Sequence, residues 1–333
     1  MTIIVAIVLF STIVFIHELG HFLLAKKNGV TVHEFAIGMG PKIFSIKKDT
    51  EYSIRLLPLG GFCSMEGEDE ESKDPKAFGR KSILQRASIL AAGPIFNIIF
   101  AAILLIPVCM YMGSPSTTLG GVVENSPAQV AGIQVGDTIE KINGEEIKSW
   151  NDVTSNLSNS NGSEVTITVI RDGQTKEILV KPEMKDGRFI VGIEPTMEKG
   201  IFSSIGRAFT MTGEMIVQMI TFVGQLITGT VPGGAGNAVA GPIGVISIVS
   251  DAAKTGIINV IYIGAIISLN LGILNLLPIP ALDGGRLVVL GIEAIRGGKK
   301  LDPNKEAMIH MVGFGMLMLL MVFVTYKDIL RLI

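Results

Sequence analysis

Four long apolar stretches, each near the length that crosses a bilayer, exclude most folds open to a soluble chain. The first, Thr2 to Ile16, carries no charge and continues through His17-Glu-Leu-Gly-His21 to Ala25, where Lys26 and Lys27 end it. Ala87 to Met112, Gly256 to Leu277 and Met308 to Val324 follow. About 20 apolar residues cross a hydrocarbon core of roughly 30 Å, so each is a candidate span. Composition agrees, with 48% hydrophobic and 17% charged residues, against roughly 25% charged in soluble domains. A formal charge of −2 leaves no basic surplus to hold nucleic acid. Two cysteines, Cys63 and Cys109, cannot build a disulfide framework. The expected class is a polytopic α-helical membrane protein with four transmembrane helices.

Lysine and arginine bias sets the direction of the spans. Eleven basic residues lie between Lys26 and Arg86, and Arg286, Arg296, Lys299, Lys300 and Lys305 lie between the third and fourth spans. Both basic loops are therefore expected in the cytosol, with both termini and the stretch from Gly113 to Thr255 outside. The chain divides into an N-terminal membrane half (1–113), a soluble insert (114–198), a linker (199–255) and a C-terminal membrane half (256–333). Within the linker, Ile201 to Thr228 is apolar but holds Arg207, Glu214, Gln218 and Gln225. Its two-faced pattern predicts a helix lying on the outer membrane surface.

After the first span, Phe35 to Phe44 and Tyr52 to Leu59 alternate around the polar turn Lys47-Lys-Asp-Thr50. This predicts a membrane-associated β-hairpin over 32–62, tolerated near lipid only where its backbone is paired or faces a cavity. The acidic run Glu66 to Glu71 is expected to be a solvated loop. In the insert, Glu164 to Ile170 and Thr175 to Val180 alternate like half-buried strands around Arg171-Asp-Gly-Gln174, and Trp150 to Leu157 reads as a short helix. Ser126-Pro-Ala-x-x-Ala-Gly-Ile-x-x-Gly-Asp-x-Ile139, followed by Ile142-Asn-Gly144, resembles the signature of PDZ domains. The resemblance implies a β-rich extracytoplasmic domain whose groove takes a peptide ligand by strand addition. Its clamping loop is expected near Leu119-Gly-Gly-Val122, where the plainer alternative is an ordinary turn.

The chain has four histidines, two of them as His17-Glu18-Leu19-Gly20-His21. Histidines four apart share one helical face and can reach one metal ion, with Glu18 beside it to take a proton from water. Ionisable groups inside a span are costly and mark function by default. A hydrolytic zinc site uses three protein ligands and leaves the fourth position for water, so one more is needed. Asn275-Leu-Leu-Pro-Ile-Pro-Ala-Leu-Asp283-Gly-Gly-Arg286 offers it at the end of span three. Asp283 there either binds the cation or caps the following helix. Both segments run outside to inside and meet at the cytosolic leaflet. His33 and His310 have no ligand spacing to a partner and are expected to be incidental.

With these residues the chain resembles the site-2 protease family of intramembrane zinc proteases, in its bacterial RseP-like, PDZ-containing form. His-Glu-Leu-Gly-His, Gly93-Pro94-Ile-Phe-Asn97, Gly241-Pro242 and Asn-x-x-Pro-x-Pro-x-Leu-Asp-Gly-Gly match family motifs in order over essentially the whole chain. One departure is Arg286, where many relatives carry histidine; another is length, which leaves room for one PDZ module. The resemblance implies that His17, His21 and Asp283 hold Zn2+ and that Glu18 is the general base. It implies substrate binding by Asn275, whose plainer alternative is packing polarity. For Asn97, bonding between helices is the competing role. It further implies a bacterial inner-membrane protease acting on single-span proteins such as anti-sigma factors, or on remnant signal peptides, in contact with the lipid bilayer. Two other classes stay open on the residues alone: a membrane-anchored PDZ adaptor with a structural metal, and a tethered protease of soluble substrates.

Overall fold

The computed structural model describes residues 2–68, 72–185, 187–231 and 240–332. The chain forms two compact units, one built from residues up to 108 and from 208 onward, the other from 109–207. Among the described residues, four helices have the length and hydropathy to cross a bilayer: Thr2–Lys27, Ile83–Met112, Ile257–Leu276 and Asn304–Leu330.

Helix α1 (Thr2–Lys27) ends where Lys26 and Lys27 complement its carbonyl end and Gly29, at φ 66°, turns the chain out. Strands β1 (Val32–Lys47) and β2 (Glu51–Met65) follow. They make more than the single hairpin expected over 32–62. Residues 32–37 lie between 61–65 on one side and 51–54 on the other, while 42–47 lie against 51–55. Bends with left-handed glycines at 38, 40 and 60 let two strands behave as four paired segments. A sequence pattern of period two reports which face a residue takes, not which neighbour it pairs with.

The resulting sheet has two unlike faces. Glu34 receives hydrogen bonds from Ser53 at 2.6 Å and Arg55 at 2.8 Å, and Lys42 bridges Glu34 and Glu51 at 3.4 and 2.8 Å. On the other face Phe35 packs its ring against Phe15 and Phe22 of α1 and against Tyr52. Ile43, Phe44, Ile46, Ile54 and Leu56 are exposed, which suits a sheet set into the lipid boundary with its backbone paired. The acidic run beyond it is not simply solvated. Glu66 pairs with His33 at 2.6 Å and with Ser72, and Glu68 pairs with Arg286 at 2.5 Å. Residues 69–71 of that run lie outside the described residues. Helix α2 (Ile83–Met112) carries Pro94 and Pro107 inside it.

The second unit holds β3 (Ser114–Val122), the one-turn α3 (Pro127–Val130), β4 (Thr138–Ile142), β5 (Glu145–Glu146) and α4 (Trp150–Asn159). β6 (Val165–Arg171), β7 (Gln174–Val180), β8 (Glu183–Lys185), β9 (Arg188–Ile190) and β10 (Ile193–Glu198) complete it. Asp172 at φ 52° and Gly173 at φ 77° form the two-residue turn that suits the twist of β6 and β7. Ser149 and Asp152 form a reciprocal capping box at the start of α4. The main sheet runs β10-β3-β4-β6-β7. β3 has β10 along one side and, at Thr118 and Leu119, β4 on the other, so it is an inner strand of that order. The edges of that order are β10 and β7. The chain enters and leaves this unit side by side, with Ser114 opposite Glu198.

Helix α5 (Ile201–Thr228) is amphipathic and is not among the four span-length apolar helices. Of the 199–255 linker, 232–239 lies outside the described residues. Helix α6 (Pro242–Thr255) has its N-terminus capped by buried Asp328, which accepts from the amides of Gly241 at 3.1 Å and Gly244 at 2.8 Å. Helix α7 (Ile257–Leu276) stops before Pro278, and a loop leads to α8 (Asp283–Ile295) and α9 (Pro303–Leu332). Arg86 and Glu293, both buried, form a two-pronged ion pair at 2.9 and 2.6 Å that ties α2 to α8.

In the second unit Asp137 is fully buried and bonded through both oxygens to Arg171, at 2.6 and 2.7 Å. Burial works against its charge, yet the guanidinium of Arg171 and the amide of Gln134 outweigh it and hold the carboxyl below the usual range. A depressed acid stabilises the fold above its unfolded pKa and loses that contribution as pH falls through the folded value. Trp150, the sole tryptophan, packs against this core and reports on it in the intact chain. Unfolding followed by Trp150 emission is expected to shift to lower temperature as pH drops from about 4. Asp137→Asn should flatten that dependence, and Asp137→Ala should cost about 3–5 kcal/mol by stranding a charge.

Candidate metal centre

His17 and His21 lie one helical turn apart on α1, both buried, with ring centroids 4.8 Å apart. Asp283 arrives from α8, and its Oδ2 stands 3.2 Å from His17 Nε2 and 3.4 Å from His21 Nε2. One donor atom from each of the three lies within 4.8 Å of the others. The alternative of a capping role for Asp283 fails on position. Leu282 is the cap residue, with no side-chain bond, and Asp283 stands in the first turn aimed at the imidazoles.

The chemistry of these atoms calls for a cation. His21 Nδ1 faces the carbonyl of Ile89 at 2.9 Å. A carbonyl oxygen can only accept, so in the neutral ring the proton is on Nδ1 and Nε2 presents a lone pair. That lone pair meets the carboxylate of Asp283, whose Oδ2 is buried with no hydrogen bond of its own. Acceptors converging without a donor repel one another, and a divalent ion between them reverses the sign. Tetrahedral zinc is held by this kind of N, N, O set, with a position left for water.

Close backbone packing makes the meeting possible. A Cβ on Gly20 would stand 2.5 Å from the carbonyl oxygen of Ala92, so α1 and α2 touch backbone to backbone. Gly93 lies flush against the His21 imidazole, where any Cβ would overlap Nε2. On the Asp283 side, Cβ atoms on Gly284 and Gly285 would run into the carbonyls of Leu276, Leu277 and Ile279. The two glycines let α8 start immediately beneath the broken end of α7.

Glu18 follows His17, and the backbone of Cys63 lies close to its carboxylate. A Cβ on Gly61 would lie 3.4 Å from its Cγ, so the segment 61–65 passes alongside. Asn275 lies in the last turn of α7, half-buried. Asn97 on α2 has no exposed surface; its Nδ2 is 3.4 Å from His17 Nδ1 and its carbonyl accepts from Ser268 at 2.8 Å. His310, expected to be incidental, has a specific partner: its Nδ1 accepts the backbone N–H of Ala281 at 3.1 Å, two residues before Asp283. A lone histidine at the start of a span gives no periodic signal, so only the folded contact exposes it. Arg286 stands outside the donor set and pairs with Glu68.

Residues 5–320 match the model of peptidase family M50. A zinc metalloprotease homologue of Clostridium acetobutylicum is 41% identical, over 98% of this chain and 97% of its own. The sigma-W regulating protease RasP of Bacillus subtilis is 37% identical over 99% of both chains. The zinc metalloprotease RasP of Bacillus licheniformis is 36% identical over the same shares.

Metal analysis of the purified protein is expected to find one zinc per chain, lost in His17→Ala and Asp283→Ala. Gly93→Ala removes no ligand but pushes the His21 ring aside. It should weaken zinc binding by about tenfold or more, measured by competition with a chelator.

Proposed function

The chain belongs to peptidase family M50, the site-2 type of zinc metalloprotease, and from that premise we propose that it cleaves single-span membrane proteins within the bilayer. One observation carries this: two imidazoles of a span-length helix and a carboxylate beyond another converge, with Glu18 one residue away. The relative from Bacillus subtilis is named for regulating sigma-W. We extend that substrate class here: membrane-embedded regulators of sigma factors, with remnant signal peptides as a second set.

His17, His21 and Asp283 would hold zinc, which as a Lewis acid lowers the pKa of a water and polarises the scissile carbonyl. Glu18 takes the proton of the attacking water and delivers it to the leaving amine. Asn275, at the broken end of α7, is placed to bond the substrate backbone. Asn97 is fully buried and is better suited to act through His17 than on a substrate. Its Oδ1 is buried without a partner, and rotating the amide by half a turn brings that oxygen to His17 Nδ1–H. Such a bond leaves His17 Nε2 free for the metal, as Ile89 does for His21.

A substrate helix hides its carbonyls in its own hydrogen bonds and must unwind before attack. The segment 61–65 pairs with 32–37 on one side only, and its other edge runs beside Glu18. We assign that edge to the extended substrate by strand addition. The second unit, with its PDZ-like signature, gates access from outside the cytosol, and β10 is the edge that suits a peptide ligand. Both termini lie outside and the metal centre lies toward the cytosolic leaflet, as the basic loops require. A metal-bearing adaptor has no need of Glu18, and a protease of soluble substrates has no need of ligands on a span.

Glu18→Gln is expected to retain zinc while cleaving a single-span model substrate at least 100-fold more slowly than wild type in the same membranes. Equal cleavage by both would falsify the assigned base. Because Ser114 and Glu198 are adjacent, residues 119–193 can be replaced by a short linker. The shortened protein should then cut substrates whose outer domain has not been trimmed, read by gel mobility of the product.

A further inference from the structure

Ala281 adopts φ 74°, a left-handed conformation in which a Cβ crowds the following carbonyl. The other described non-glycine residues with positive φ are Asn125, Asn143, Asn161 and Asp172, types whose short polar side chains bond locally to the turn. Alanine has no such group, so its neighbours must hold this conformation. Both belong to α9. His310 Nδ1 accepts the Ala281 N–H at 3.1 Å. One turn along, Gly313 lies so close to Pro280 that a Cβ there would stand 2.6 Å from the proline carbonyl oxygen. His310 and Gly313 are three residues apart and therefore share one helical face.

The gripped segment is short. Pro278 and Pro280 have no N–H to give, so hydrogen bonding from the loop's own amides falls to few atoms, and Ala281 N–H is the one directed at a side chain. Two residues later the chain delivers Asp283 to the imidazoles. If Ala281 relaxed to ordinary β or α backbone, the direction of the following residues would change and the carboxylate with it.

We propose that His310 is a positioning residue of the metal centre, holding Ala281 in its left-handed turn so that Asp283 reaches the metal. This rests on Asp283 being a ligand. His310 touches neither metal nor substrate; it acts through the backbone of the loop. Its imidazole must offer an unprotonated Nδ1, because a backbone N–H can only donate.

The test is zinc affinity of the full-length protein, measured by chelator competition independently of cleavage. His310→Leu keeps the bulk and loses the acceptor, and should weaken zinc binding tenfold or more, in the range of other residues that orient ligands. His310→Asn places Oδ1 where Nδ1 stood and should bind within about threefold of wild type, since hydrogen-bond geometry is kept. Ala281→Gly reaches positive φ freely and should restore most of the affinity lost in His310→Leu. Wild-type affinity in His310→Leu overturns the proposal, as does a double variant as weak as His310→Leu alone, since a merely structural defect is not cured by that glycine. Asp283→Ala separates the two levels. Loss of zinc there with wild-type binding in His310→Leu refutes only the role of His310, whereas zinc retained in Asp283→Ala removes the ligand assignment beneath it.

Discussion

A carboxylate and two imidazole nitrogens forced within a few ångströms of one another in an apolar surround have no stable arrangement without a positive charge between them. In water the groups would separate and solvate. Here they cannot, because His17 and His21 are fixed to one rigid helix and Asp283 to the first turn of another. The cost of desolvating these groups is large and is met only when a cation or proton is shared. The rest of the membrane unit can be understood as what keeps them from moving apart. Gly20 and Gly93 seat α1 on α2, Gly284 and Gly285 tuck α8 under α7, and the Arg86–Glu293 pair fixes α8 to the start of α2.

The same constraint explains why the third ligand comes from an interrupted element. A continuous helix through 278–283 would aim successive side chains around its axis and spend its amides internally. Pro278 and Pro280 stop that, Leu277 and Leu282 adopt extended backbone, and Ala281 turns left-handed. The break costs local backbone energy but gives Asp283 a direction that α7 itself could not provide. Irregular backbone near a membrane is tolerable only where its polar groups find partners. The bond from Ala281 to His310 supplies one, and the amide of Ile279 donates to Leu277 as another.

Much of this was legible in the sequence because it repeats with a period. The four spans follow from uncharged length, and the paired histidines from their spacing of four on a predicted helix. The turn at Asp172-Gly173 follows from a residue pair that admits positive φ. Asp283 could be selected because a carboxylate beside broken apolar sequence needs a reason. Contacts without a period were not legible. Two β segments became four because Gly38, Gly40 and Gly60 bend them, and pairing between 34–37 and 51–54 is decided only when the bends form. Glu68 meets Arg286 and His310 meets Ala281 across long separations, each a single residue against a single partner. The glycines at 120 and 121 suggested a ligand loop, but strand order, which composition does not carry, sets them in β3 alongside β10.

The amphipathic sheet gives the strand-addition role proposed for 61–65 its physical sense. Unwinding a substrate helix in the bilayer exposes amides and carbonyls that lipid cannot satisfy, each at a cost of several kcal/mol. In the strand addition proposed above, the edge beside Glu18 offers donors and acceptors where that exposure would occur, so that opening the substrate and binding it become one event. Residues 32–37 hold this edge from behind, Phe35 locks it against α1, and the polar network of Glu34, Lys42 and Arg55 keeps the opposite face hydrated. A substrate segment that already unwinds easily, through glycine or proline in its own span, gives up fewer internal hydrogen bonds to reach this edge. Selectivity on these terms comes from the helix stability of the substrate as much as from its side chains.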